Sequence, residues 1–297
     1  MAGITILDGG TGRELKRIGA PFQQPEWSAL ALIEAPAFVT QVHQRYVEAG
    51  ADVITTNSYA LVPFHLGAQR HAADGARLAA LSGQLARAVA DAAPRPVAVA
   101  GSLPPVCGSY RADLFDVEAA RPLVALLVTA LRPYVDHWQG ETLSAIEEAR
   151  LLRAVIGADG KPLWLSFTLA DEELHAPVPR LRSGETVAEA TRVALELGAA
   201  VVLFNCSQPE VMAEAVAVAQ AVVTQAGQAV QRGVYANAFP PVREDHAANA
   251  ALFEIRADLD PAGYRQFAQT WIARGATIIG GCCGIGPEHI AELATLR

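Results

Sequence analysis

Eight short apolar runs, rich in β-branched residues and separated by helical patterns, set the tightest limit on what this chain can fold into. The runs lie at residues 4–7, 53–56, 97–101, 135–138, 163–168, 201–205, 233–236 and 277–280. Each reads as a strand buried on both faces, the kind found in parallel sheets. Helical periodicity fills the intervals at 36–49, 72–92, 117–131, 143–156, 187–197, 209–226, 261–274 and 287–296. Several of these segments open on proline, and Gly50, Gly157, Gly198 and Gly275 stand where helices should stop. Eightfold strand–helix alternation in 297 residues predicts a single (β/α)8 barrel over 1–297. The competing fold is an open doubly wound sheet. Its dinucleotide signature is incomplete, because the run from Gly10 through Gly12 to Leu15 has leucine where a third glycine belongs. Long strand-to-helix connections at 103–116, 169–186 and 239–260 would crown the catalytic end of a barrel.

Composition removes several classes of function. With 52% hydrophobic and 18% charged residues the chain is globular, not disordered. Lys and Arg number 23 against 31 Asp and Glu, a net charge of −8 that opposes nucleic-acid binding. No apolar run reaches the roughly 18 residues of a membrane span, and the first residues lack a basic stretch leading into an apolar one. The cytosol is the expected compartment and small molecules are the expected partners; oligomeric state is left open. Of the four cysteines, Cys107, Cys206, Cys282 and Cys283, two are adjacent, which suits reduced thiols with a task better than a disulfide framework.

Barrel enzymes carry their chemistry at the C-terminal ends of strands. Cys206 follows the sixth run and the Cys282–Cys283 pair the eighth. Alternate strands feed the same interior layers, so these sulfurs are placed to converge, and glycines at 280, 281 and 284 allow the turn that brings both adjacent thiols inward. Three thiolates suit Zn²⁺ and leave one coordination position open. A lone buried cysteine is more often packing than ligand, and Cys107 is read that way. A redox pair is the competing use of the adjacent thiols, although the motif is not CxxC. The seven histidines show no metal-binding spacing.

Beyond these patterns the chain resembles the homocysteine S-methyltransferase family over essentially its whole length. The resemblance rests on the segment from Asp8 through Gly9 and Gly10 to Gly12, on 49–59 with Asn57 and Tyr59, on Glu141-Thr142, on Asn205-Cys206, and on the glycine-flanked Cys282-Cys283 pair. It implies a zinc-bearing (β/α)8 barrel that methylates homocysteine to methionine. By the same resemblance Cys206, Cys282 and Cys283 are the zinc ligands, with Asn237 able to take the fourth position in the absence of substrate. Asp8 and Glu141 correspond to the carboxylates that hold the substrate ammonium, with backbone amides around Gly9 and Gly10 near its carboxylate. Asn57 and Asn205 are further substrate-binding candidates, though asparagine often only ties down loop backbone. Trp27, Tyr59, Tyr110 and Trp138 are candidates to cradle a methyl cation through their ring faces.

A thiol with an ordinary pKa near ~8.5 is mostly protonated at neutral pH, and metal coordination removes that proton. A strongly anionic thiolate site favours a cationic donor whose charge is discharged on transfer. One barrel leaves no room within it for folate or cobalamin modules, so a self-sufficient donor is expected. Segments 25–29 and 108–113 resemble enzymes that use S-methylmethionine, the first choice, or S-adenosylmethionine. The chain departs from them at 60–63 and at Gly284. A betaine-type donor, a zinc hydrolase, and a zinc- or thiol-binding barrel without methyltransferase activity are the alternatives.

Overall fold

The computed structural model describes residues 3–174, 177–240 and 255–297. Its strands are β1 (Thr5–Ile6), β2 (Val53–Thr55), β3 (Ala98–Leu103), β4 (His137–Leu143), β5 (Leu163–Phe167), β6 (Val201–Asn205), β7 (Gln231–Ala236) and β8 (Ile278–Gly281). All pair in parallel, in the order β1-β8-β7-β6-β5-β4-β3-β2. A parallel bridge between Leu7 and Val53 joins the two ends of that order and closes the cylinder. The (β/α)8 barrel expected from the alternation is the observed fold.

Helices cover the outside because parallel crossovers must pack back onto the sheet. They are α1 (Thr11–Arg17), α2 (Ser28–Glu34), α3 (Pro36–Ala49), α4 (Pro63–Leu66), α5 (Ala68–Ala92), α6 (Val117–Leu131), α7 (Ile146–Ile156), α8 (Val187–Glu196), α9 (Pro209–Ala226), α10 (Pro261–Ala273) and α11 (Pro287–Ala294). Proline opens α3, α9, α10 and α11, where its missing N–H has no partner to lose. A large apolar layer separates helices from sheet, and a second, small cluster fills the barrel interior with Leu7, Val53, Ala100, Val201, Leu203, Tyr235 and Ile278. No helix among the described residues is long and apolar enough to cross a membrane.

The largest departure from the sequence expectation is β4, which starts and ends later than the apolar run at 135–138. Its inward residues are His137, Gln139 and Glu141, so apolarity is no guide to its extent. The outward parity holds Trp138 and Gly140, and a Cβ on Gly140 would collide with Leu152 of α7. Glu141 therefore stands within the strand and not after it. Of the three long connections, 103–116 contains a short 3₁₀ turn at Ala112–Leu114, and much of 239–260 lies outside the described residues.

His43, on α3, is fully buried with neither ring nitrogen partnered, and burial pulls its pKa from 6.5 down to about 4. The folded state thus favours the neutral ring. The stability this contributes is complete above pH ~6.5 and is lost as pH falls through ~4, about 3 kcal/mol at full protonation. Chemical denaturation between pH 7 and 4 should show wild type losing more stability than His43→Leu by roughly that amount. Parallel curves for the two proteins would contradict it.

Candidate functional site

The C-terminal mouth of the barrel holds a cavity lined by Asp8, Glu141, Gln139 and the three cysteines 206, 282 and 283, together with Trp27, Tyr59 and Tyr110. Asp8 sits just beyond β1 and reaches across the closure seam. Its Oδ2 accepts from the Thr55 backbone N–H at 2.7 Å and its Oδ1 from the Thr55 hydroxyl at 2.9 Å. Burial still pushes the carboxyl up to about 7, because these donors only partly offset desolvation and Glu141 adds repulsion. Glu141 accepts from the Ser102 hydroxyl on one oxygen and from the Tyr235 hydroxyl, at 3.4 Å, on the other. Gln139 donates to the same Tyr235 oxygen at 3.2 Å. Burial raises Glu141 as well, against the pull of Ser102, Gln139 and Tyr235. No lysine or arginine is among the described residues lining the cavity. Two buried carboxyls without a lining cation form a subsite that an incoming ammonium would neutralise.

The sulfurs reach this cavity from strands flanking β7. Cys206 follows β6 with φ of 51°, a left-handed value that turns its side chain back toward the barrel axis. Cys282 continues the ladder past β8 by donating its N–H to Ala236 at 2.9 Å, and Cys283 accepts from the Ala238 N–H at 2.8 Å. Close approach explains the glycines here: a Cβ on Gly281 would overlap Ile285, and one on Gly10 would lie 2.5 Å from the Cys282 carbonyl oxygen. The three sulfurs all lie within 4.8 Å of one another.

In this structure Cys206 and Cys282 form a disulfide, with Cα atoms 5.8 Å apart. That departs from the expectation of reduced thiols. The bond runs between strand ends that the barrel brings together, a pairing with no trace in the spacing of the cysteines along the chain. Cys283 remains a thiol, and burial raises its pKa to about 11 despite the nearby Arg13. Such a group stays protonated at neutral pH unless a cation displaces the proton. The size and chemistry of the cluster fit a tetrahedral thiophilic ion once the pair is reduced, since three thiolates about 2.3 Å from one Zn²⁺ stand ~3.8 Å apart.

Comparison with known proteins agrees with this geometry. A family model described as homocysteine S-methyltransferase matches residues 5–296. The chain belongs to the homocysteine S-methyltransferase family. It is accordingly a methyltransferase enzyme. The homocysteine S-methyltransferase of Escherichia coli (strain K12) is 31% identical over 315 residues, covering 98% of this chain and 94% of the relative. The metallated form of the homocysteine methyltransferase MmuM from Escherichia coli superposes with a TM-score of 0.78 at 25% identity, covering 99% of this chain and 96% of that one. The oxidized form of MmuM gives 0.79 at 26% identity with the same coverage.

Within this family member the sequence-derived candidates separate cleanly. Asp8, Gly9, Gly10, Asn57, Glu141, Trp27, Tyr59 and Tyr110 line the cavity with the three cysteines. The Gly10 amide is already engaged, donating to the Ile285 carbonyl at 2.9 Å, so it is not open to a substrate carboxylate. Asn57 donates to the Ser28 carbonyl at 3.1 Å. Trp138 points the other way: it is fully buried against the helices, and its Nε1 donates to Asp159 at 2.6 Å. Strand parity is the reason, since its neighbours Gln139 and His137 take the inward face. The Asn237 side chain does not line the cavity; its Oδ1 accepts from the Phe239 N–H at 3.2 Å and caps its own turn. Asn205 is fully buried behind the cavity wall. Cys107 is half-buried outside the cavity, its Sγ 3.9 Å from the Asp116 carbonyl.

Thr55, Ser102, Gln139 and Tyr235 are not among the candidates named from the sequence. These four orient the two carboxyls. A signal existed for Gln139, which stands two positions before Glu141 and so shares its strand face.

Proposed function

We propose that this enzyme transfers a methyl group from a sulfonium donor, S-methylmethionine or S-adenosylmethionine, to the thiol of L-homocysteine, giving methionine, with Zn²⁺ held by Cys206, Cys282 and Cys283. The observation that carries this reading is the gathering of three sulfurs and two buried carboxyls around one cavity with an aromatic wall. Asp8 and Glu141 hold the homocysteine ammonium, which orients the acceptor sulfur toward the cysteine cluster. Zinc, when bound, supplies the positive charge that lets the acceptor lose its thiol proton at neutral pH.

Trp27 and Tyr59, with ring centroids 6.0 Å apart in an edge arrangement, and Tyr110 form the wall where a sulfonium would lie. The wall excludes water and holds donor carbon and acceptor sulfur in line. One carbon–sulfur bond breaks as another forms, and the donor leaves as a neutral thioether. The two buried carboxyls and three sulfurs that line the cavity support a donor that is itself positively charged. The reading requires Cys206 and Cys282 in the reduced state, which the cytosol maintains.

A donor screen tests it. Reduced, zinc-supplied enzyme with homocysteine should yield methionine from S-methylmethionine first and S-adenosylmethionine second, scored by mass spectrometry. Methionine formed from betaine alone, or from none of the three, would overturn the sulfonium assignment.

A further inference from the structure

Asn205 stands one residue before Cys206 and is fully buried, yet its side chain does not enter the cavity. It is directed instead at Thr142, the residue after Glu141. Its Oδ1 accepts from the Thr142 N–H at 2.9 Å and from the Ser166 hydroxyl at 2.7 Å, while its Nδ2 donates to the Thr142 hydroxyl at 2.9 Å. Strand β5 lies between β4 and β6 in the sheet, so these bonds link two strands that are not neighbours. Thr142 has φ of 59°, a left-handed conformation that a β-branched residue adopts only when its surroundings impose it. The β4–β5 register shifts between Gly140 and Leu143, the segment that carries Glu141.

We propose that Asn205 is a positioning residue: its amide clamps Thr142 in the left-handed turn, directs Glu141 into the cavity, and ties the ammonium subsite to the strand that ends in Cys206. The neutral amide supplies two acceptor bonds and one donor bond at this buried point without a charge, whereas aspartate would lose the donor and, when ionised, bring a buried charge among neutral partners. The inference rests on the reading that Glu141 holds the homocysteine ammonium.

The test uses full-length, reduced, zinc-loaded enzyme as wild type, Asn205→Ala, Thr142→Val, the double variant and Glu141→Gln. Homocysteine Kd is read by isothermal titration calorimetry, zinc content by atomic absorption, and KM for each substrate from turnover. Asn205→Ala should raise homocysteine Kd and KM about tenfold with zinc retained and donor KM unchanged. Thr142→Val keeps the N–H bond to Asn205 Oδ1 and loses only the hydroxyl that accepts from Nδ2, so it should raise Kd by a smaller factor, and the double variant should be no worse than Asn205→Ala, because both act on one clamp. Thr142→Val keeps the side-chain shape and carries the test should Asn205→Ala not fold. Homocysteine Kd unmoved in the folded variants while Glu141→Gln raises it would overturn the clamp alone, as would effects that multiply in the double. Kd unmoved in Glu141→Gln as well would overturn the ammonium reading and the clamp with it.

Discussion

Cys282→Ala enzyme, purified under reducing conditions and supplied with zinc, is expected to retain almost no metal and to lose roughly a thousandfold in kcat/KM, about 4 kcal/mol of transition-state stabilisation. Removal of one of the three sulfurs leaves two protein ligands, too few to hold the ion in a tetrahedral site against water. Acceptor activation then falls to that of a free thiol. The barrel itself should survive, since Cys282 only borders the small interior cluster while the main apolar layer lies between sheet and helices. Metal analysis, kinetics and far-ultraviolet circular dichroism on one preparation check all three statements. Undiminished turnover in a metal-free variant would refute the thiolate mechanism.

Asp8→Asn is expected to raise the homocysteine KM by about a hundredfold, near 2–3 kcal/mol, with a smaller effect on kcat. Both Asp8 oxygens accept from Thr55, and the substrate ammonium would add a third donor to the same carboxylate. An amide in its place turns a donor toward a donor on one side and removes the charge that the ammonium pairs with. The loss should appear in acceptor affinity and not in donor affinity, because the aromatic wall is built from other segments. Equal rises in both KM values would point to collapse of the pocket and count against the assigned role.

These expectations differ in how far they could be read before the fold was seen. The alternation of strands and helices was legible because parallel strands buried on both faces must be apolar and their crossover helices amphipathic. The cysteines were legible because two adjacent thiols in a glycine run at a strand end have few bland explanations. Strand β4 was misplaced for the opposite reason: its inward face lines the cavity and is polar, so the rule that finds buried strands fails where the chemistry is. Trp138 fell to the outer face by parity alone. Asn237 and Asn205 were marked as candidates, yet asparagine amides serve backbone turns as readily as ligands, and here both side chains bond protein groups.

Local chemistry along the chain set the architecture and the kinds of group available for catalysis, since hydrophobic period, proline and glycine placement and thiol count act over a few residues. Which groups meet was settled by closure of the cylinder. Thr55 holding Asp8, Tyr235 and Ser102 holding Glu141, Asn205 reaching past β5 to Thr142, and the Cys206–Cys282 bond all join residues more than 30 positions apart. Such contacts depend on closure of the barrel and on the left-handed turns at Thr142 and Cys206, which leave no mark in the hydrophobic pattern.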